Sequence, residues 1–85
     1  MLRPSADVVA RQLGDSAVLI RLTTNRIYEL NPTGARIWEL VGSGADVSSI
    51  LATLIDEFDG SSDTIRSEAE DLVRDLLAEG LLVNA

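Results

Sequence analysis

Residues 25–40 read NRIYELNPTGARIWEL. The stretch Ile27-Tyr28-Glu29-Leu30 alternates as a strand does, and Asn31-Pro32 turns it into a helix. Asn31 is a favoured N-cap, and Pro32 suits the first helical position, where its missing N–H costs nothing. Beyond the corner, Ile37, Trp38, Leu40 and Val41 follow at helical spacing until Gly42-Ser43-Gly44. The chain's only Tyr and only Trp flank this one corner.

Upstream, Asp7–Gln12 reads as a first strand and Ala17–Leu22 as a second, joined by the turn-rich Leu13-Gly14-Asp15-Ser16. Short links imply an antiparallel meander whose last strand, 27–30, is an edge. Downstream, Asp46 caps a second helix bearing Val47, Ile50, Leu51, Leu54, Ile55 and Phe58 on one face. After a loop at Asp59–Asp63, a third helix from about Thr64 to Glu79 carries Ile65, Ala69, Leu72, Val73, Leu76 and Leu77. Gly80 is its C-cap, Leu81 folds back on the last turn, and Leu82-Val83 runs on as an extended tail. The order β-β-β-α-α-α predicts a single α+β domain over residues 1–85, winged helix-turn-helix-like. A three-stranded antiparallel sheet precedes three helices that must pack on each other and on one sheet face.

Composition narrows the chemistry. The 85 residues contain no Cys and no His, and all seven basic residues are Arg. The usual general base, imidazole metal ligand, thiol nucleophile and Schiff-base amine are therefore missing. The expectation is a protein that is not an enzyme, with no cofactor and no metal. Asp56, Glu57 and Asp59 lack the full spacing of a calcium loop. No apolar run is long enough for a bilayer span, and the N-terminal residues lack a signal-peptide core. A cytoplasmic location is expected. Of the net charge of −7, residues 43–85 hold ten acids against two Arg, while residues 1–42 hold five Arg against four acids. The acidic half should repel polyphosphate. A DNA-reading helix needs basic and amide side chains, yet the third helix carries Glu68, Glu70, Asp71, Asp75 and Glu79. A winged-helix DNA-binding regulator is thus the rival of another class, and a plain docking subunit is a third reading.

Tyr28-x-Leu30-Asn31-x-x-Gly34-x-x-Ile37-Trp38-x-Leu40 resembles the strand–helix signature of PqqD-like proteins, the leader-peptide recognition elements of ribosomally made, modified peptides. A second helix ending at Phe58, an acidic link and the ending Leu76-Leu77-x-x-Gly80-Leu81-Leu82 extend the resemblance over roughly residues 6–83. It implies a winged-helix-like fold that does not read DNA. It also implies a precursor's leader paired with the third strand and lying against the third helix. On this chain the implied peptide-binding residues are Ile27, Tyr28, Glu29, Leu30 and Asn31 of the strand, with Ala69, Leu72, Val73 and Leu76 of the helix. The free-standing form looks most like the recognition proteins of lasso-peptide pathways, which pass the leader to a leader peptidase and a cyclase. The pyrroloquinoline-quinone pathway chaperone, serving a radical enzyme, is the alternative. The partners implied are a precursor peptide and processing enzymes, with no nucleic acid and no membrane.

The residues support this reading in their own right. An unpaired strand edge can accept another strand. Ile27 and Glu29 must face one way and Tyr28 and Leu30 the other, so one pair alone faces the helices. Trp38 and Leu30 are expected in the core.

Overall fold

The computed structural model describes residues 2–58 and 60–84. The part of the predicted loop at Asp59 lies outside them. Strands β1 (Leu2–Pro4), β2 (Val8–Leu13), β3 (Ser16–Arg21) and β4 (Arg26–Leu30) precede helices α1 (Pro32–Gly42), α2 (Val47–Glu57) and α3 (Ser62–Ala78). Strand β5 (Leu82–Asn84) closes the described chain. The meander is an antiparallel sheet in the order β2-β3-β4, so β4 is an edge.

Each turn has a local cause. Gly14 sits at φ +62 in the two-residue β2–β3 link, and Asn25 at φ 56 in the β3–β4 link, both in the left-handed region that Gly and Asn tolerate. The Asn31 side chain accepts from the Gly34 N–H at 2.8 Å, capping α1. Asp46 caps α2 through the Ser49 N–H at 2.8 Å. Ser61, ahead of the expected start, caps α3 through the Thr64 N–H at 3.0 Å. The helix therefore begins two residues before the predicted Thr64. At its other end Leu81 N–H reaches the Leu76 carbonyl and Gly80 N–H the Leu77 carbonyl, the paired bonds that fold the chain back after a left-handed glycine.

Two terminal strands were not foreseen. The expected tail at Leu82-Val83 is β5, which pairs antiparallel with β1, Leu2 opposite Asn84 and Pro4 opposite Leu82. Three residues containing a proline carry no strand signature of their own; the pairing comes from Leu81 and Leu82 being drawn into the core, at 0% and 1% exposure. The core gathers Leu19 and Leu30 from the sheet with Ile37, Val41, Ile50, Leu54, Ile65 and Leu76 from the helices. Trp38 is half-buried against this cluster. The helices cover one face of the sheet, with α1 packed on β3, α2 and α3.

Candidate functional site

The ladder settles which way the β4 backbone points. The Leu22 N–H donates to the Asp7 carbonyl at 2.8 Å, continuing the register that pairs Val9 with Ile20 and Arg11 with Val18. In an antiparallel pair, bonded and non-bonded positions alternate. Ser16, Val18 and Ile20 therefore bond to β2, and Ala17, Leu19 and Arg21 turn to β4. Their partners are Leu30, Tyr28 and Arg26. The N–H and C=O groups of Ile27 and Glu29 consequently point off the open side of β4. They supply two donors and two acceptors at strand spacing.

The side chains divide the same way. Tyr28 and Leu30 face the helices, half-buried and 5% exposed respectively, whereas Ile27 is 65% exposed and Glu29 lies in solvent. Tyr28 is tied to the far end of α3, its hydroxyl 3.2 Å from Glu79 Oε2. Arg26 approaches that same carboxylate at 3.8 Å, with its guanidinium 5.5 Å from the Tyr28 ring centre. Arg21 donates to the Glu79 carbonyl at 2.6 Å. These contacts pin the start of β4 to the C-terminal end of α3.

At the other end β4 and α3 are parted by a groove. One surface cleft of about 650 Å³ lies among Ser16, Ala17, Leu30, Asn31, Gly34 and Leu72, with Glu29 on its lining. A second, about 320 Å³, shares Asn31, Gly34 and Leu72 and extends along Glu68, Asp71 and Asp75 of α3. Gly34 keeps the floor open. A Cβ there would stand 3.2 Å from Leu72 Cδ2 and 3.3 Å from Asn31 Oδ1, closer than most side-chain neighbours tolerate. Charges on the far wall are acidic, with Arg74 held on Asp71 at 2.8 Å.

Of the residues proposed from sequence, Ile27, Tyr28, Glu29, Leu30 and Asn31 all lie along β4 and its corner. Leu72 is the α3 residue that meets them in the groove. Ala69 and Val73 instead line an apolar cleft with Val47, Ile50 and Leu51 of α2, and Leu76 is core at 4% exposure. One helical stripe reads alike whether it faces α1, α2 or a ligand, so periodicity alone cannot separate them. Ser16, Ala17 and Gly34 line the groove without having been singled out as binding residues. Gly34, a small residue in the first turn of a helix, was the one visible signal.

Three carboxyls elsewhere are held below their ordinary range. The Thr23 hydroxyl bonds Asp7, which also meets Arg21; the Ser49 backbone N–H bonds Asp46; Arg36 bonds Glu57. All three belong to caps and inter-element ties away from the groove. Among the described residues no helix is long and apolar enough to cross a membrane.

A solved structure described as "TbiB1 in Complex with the TbiA(beta) Leader Peptide" superposes with a TM-score of 0.88 at 28% identity, over 98% of this chain and 96% of that one. Another, "Lasso peptide synthetase B1 complexed with the leader peptide", has a TM-score of 0.86 at 19% identity over 98% of both chains, a likeness of fold. No curated protein matches the chain. The family model described as Coenzyme PQQ synthesis protein D (PqqD) matches residues 16–82. Strands β3 and β4, the corner and all three helices fall inside that match, and the chain belongs to the PqqD family.

Proposed function

We propose that this protein is a non-catalytic recognition element that binds the leader of a ribosomally made precursor peptide as a fourth strand on β4. The observation that carries the reading is the outward-facing backbone of Ile27 and Glu29 beside the groove floored by Gly34 and Leu72. Two solved neighbours with this fold are described as leader-peptide complexes, which supports the same ligand class.

Strand addition supplies main-chain hydrogen bonds, and alternate side chains supply selectivity. Leader residues facing the same way as Tyr28 and Leu30 point into the groove toward Leu72. Those facing the other way lie beside Ile27 and Glu29. Burying an apolar leader side chain is worth about 1.5–3 kcal/mol, against roughly 2–5 kcal/mol for ordering a flexible segment. The expected affinity is micromolar or tighter. Leu72 is the α3 contact this geometry favours; Ala69, Val73 and Leu76 support the helix from behind.

The fold is read as winged-helix-like and used for peptide rather than DNA, its third helix being acidic on the groove side. Delivery runs to a leader peptidase and cyclase of a lasso-peptide pathway, in the cytoplasm. A peptide chaperone for a radical enzyme is the second reading within the same family. Calorimetric titration with the synthetic leader of the precursor encoded beside this chain tests the core claim. Saturable binding is expected, with slowed amide exchange at Ile27 and Glu29. Absence of heat at tens of micromolar, with the protein folded, would refute it.

A further inference from the structure

The outer face of the sheet is as apolar as an inner one. Six large apolar side chains stand exposed among the described residues, and four of them share this face: Val9 (42%), Leu13 (60%), Leu22 (54%) and Ile27 (65%). Val18 and Ile20 lie half-buried between them. An antiparallel sheet with one solvated face ordinarily alternates apolar-in with polar-out. Here the helices cover Ala17, Leu19 and Leu30 on the inner face, and the outer side chains have no cover. Such a concentration marks an interaction surface.

The register shows what fits it. Val9, Ile20 and Ile27 form one row across the three strands, and Arg11, Val18 and Glu29 form the next. Each row is arranged about β3. A two-fold axis running along β3 would lay a second copy's β4 over β2 and its β2 over β4. Val9 then meets the other copy's Ile27, Ile20 meets Ile20, and Arg11 meets Glu29 twice. Neither Arg11 nor Glu29 forms an ion pair among the described residues. Most of the negative charge lies in residues 43–85, on helices that such stacking holds apart.

We propose that the outer face of β2-β3-β4 pairs with a second copy of this chain, sheet on sheet, about the β3 axis. Isologous contacts of this kind need a self-complementary patch, and apposed sheets sit about 10 Å apart with their side chains interleaved. At a strand spacing of about 4.8 Å and a rise of about 3.4 Å per residue, the face measures roughly 15 by 20 Å. That is below the roughly 800 Å² per partner of standard interfaces, so the pairing is reversible and concentration-dependent. It uses the face and leaves the backbone edge of β4 open, while Leu13, Val18 and Glu29 belong both to the face and to the lining of the wider cleft.

Sedimentation equilibrium of the full chain, from low micromolar to millimolar, reads the association directly. The weight-average mass should climb from monomer toward dimer. Arg11→Glu and Glu29→Arg each turn two attractive pairs into two repulsive ones and should weaken the dimer about tenfold. The double variant, Arg11→Glu with Glu29→Arg, should restore it. Circular dichroism checks that each variant is folded. A monomer at every concentration overturns the proposal and leaves the face to a different protein. A dimer indifferent to the charge swap overturns it equally, because another surface then carries the contact.

Discussion

Replacing Glu29 with Pro removes one backbone N–H and places a ring on the open side of β4. That N–H points away from β3, so the β3–β4 ladder keeps all its bonds. Proline is tolerated on an edge strand with its nitrogen toward solvent, and the fold should lose no more than about 1 kcal/mol. Peptide binding should suffer far more. Ile27 and Glu29 offer four hydrogen-bonding groups, each worth about 0.5–1.5 kcal/mol net. Glu29→Pro deletes one donor, and its ring keeps the incoming strand from the neighbouring groups. A loss of at least about 1.4 kcal/mol follows, which is tenfold in affinity. Titration calorimetry with the synthetic leader measures it, and Glu29→Ala separates loss of the carboxylate from loss of the N–H. The matched control is Ala10→Pro on β2. Ala10 pairs with Leu19, which bonds to β4, so its N–H also faces outward, but on the opposite edge. Equal losses in the two proline variants, or wild-type affinity in Glu29→Pro, would refute the strand-addition mechanism.

Asn31→Ala removes the cap on Gly34 N–H and should cost about 1 kcal/mol, lowering Tm by roughly 4–8 °C for a domain this size; Asn31→Asp should nearly retain the wild-type value. Gly34→Val drives side-chain atoms against Leu72, Asn31 and Leu30, already 3.2–3.4 Å from a Cβ at that position. Overpacking of this kind should cost about 1–3 kcal/mol, read as a lower urea midpoint with an unchanged slope. Acid should act through Asp7, Asp46 and Glu57, whose carboxyls are held below their ordinary values. A carboxyl lowered in the folded state contributes its stability above the unfolded value and loses it as pH falls through the folded one. Thermal stability should therefore stay level from neutral pH and drop below about pH 4. Arg36→Ala should shrink that drop, because it removes the hydrogen bonds that lower Glu57.

Local signals carried the element order a long way. Asn31-Pro32, Asp46 and Gly80 act through a few neighbouring backbone groups, so their effect is legible residue by residue. The meander, its edge strand and the in–out split of Tyr28 and Leu30 from Ile27 and Glu29 follow from alternation and short links. The groove was less legible. Ala69, Leu72 and Val73 share one apolar stripe, yet only Leu72 reaches the corner, because α1 sits on one flank of α3 and α2 on the other.

The sequence by itself determined the three central strands, the three helices, the strand–helix corner and the absence of Cys, His and Lys, since each rests on residue type and near-neighbour spacing. Tertiary structure alone decided three things. It paired the two ends of the chain as β1 and β5, it chose Leu72 to meet the corner, and it aimed the Ile27 and Glu29 backbone outward. Each depends on which distant segment occupies a given side of a strand or helix. Burial of Leu81 and Leu82, the close approach allowed by Gly34 and the ladder register from Asp7 to Leu30 set those choices, and none is a property of a short stretch of chain.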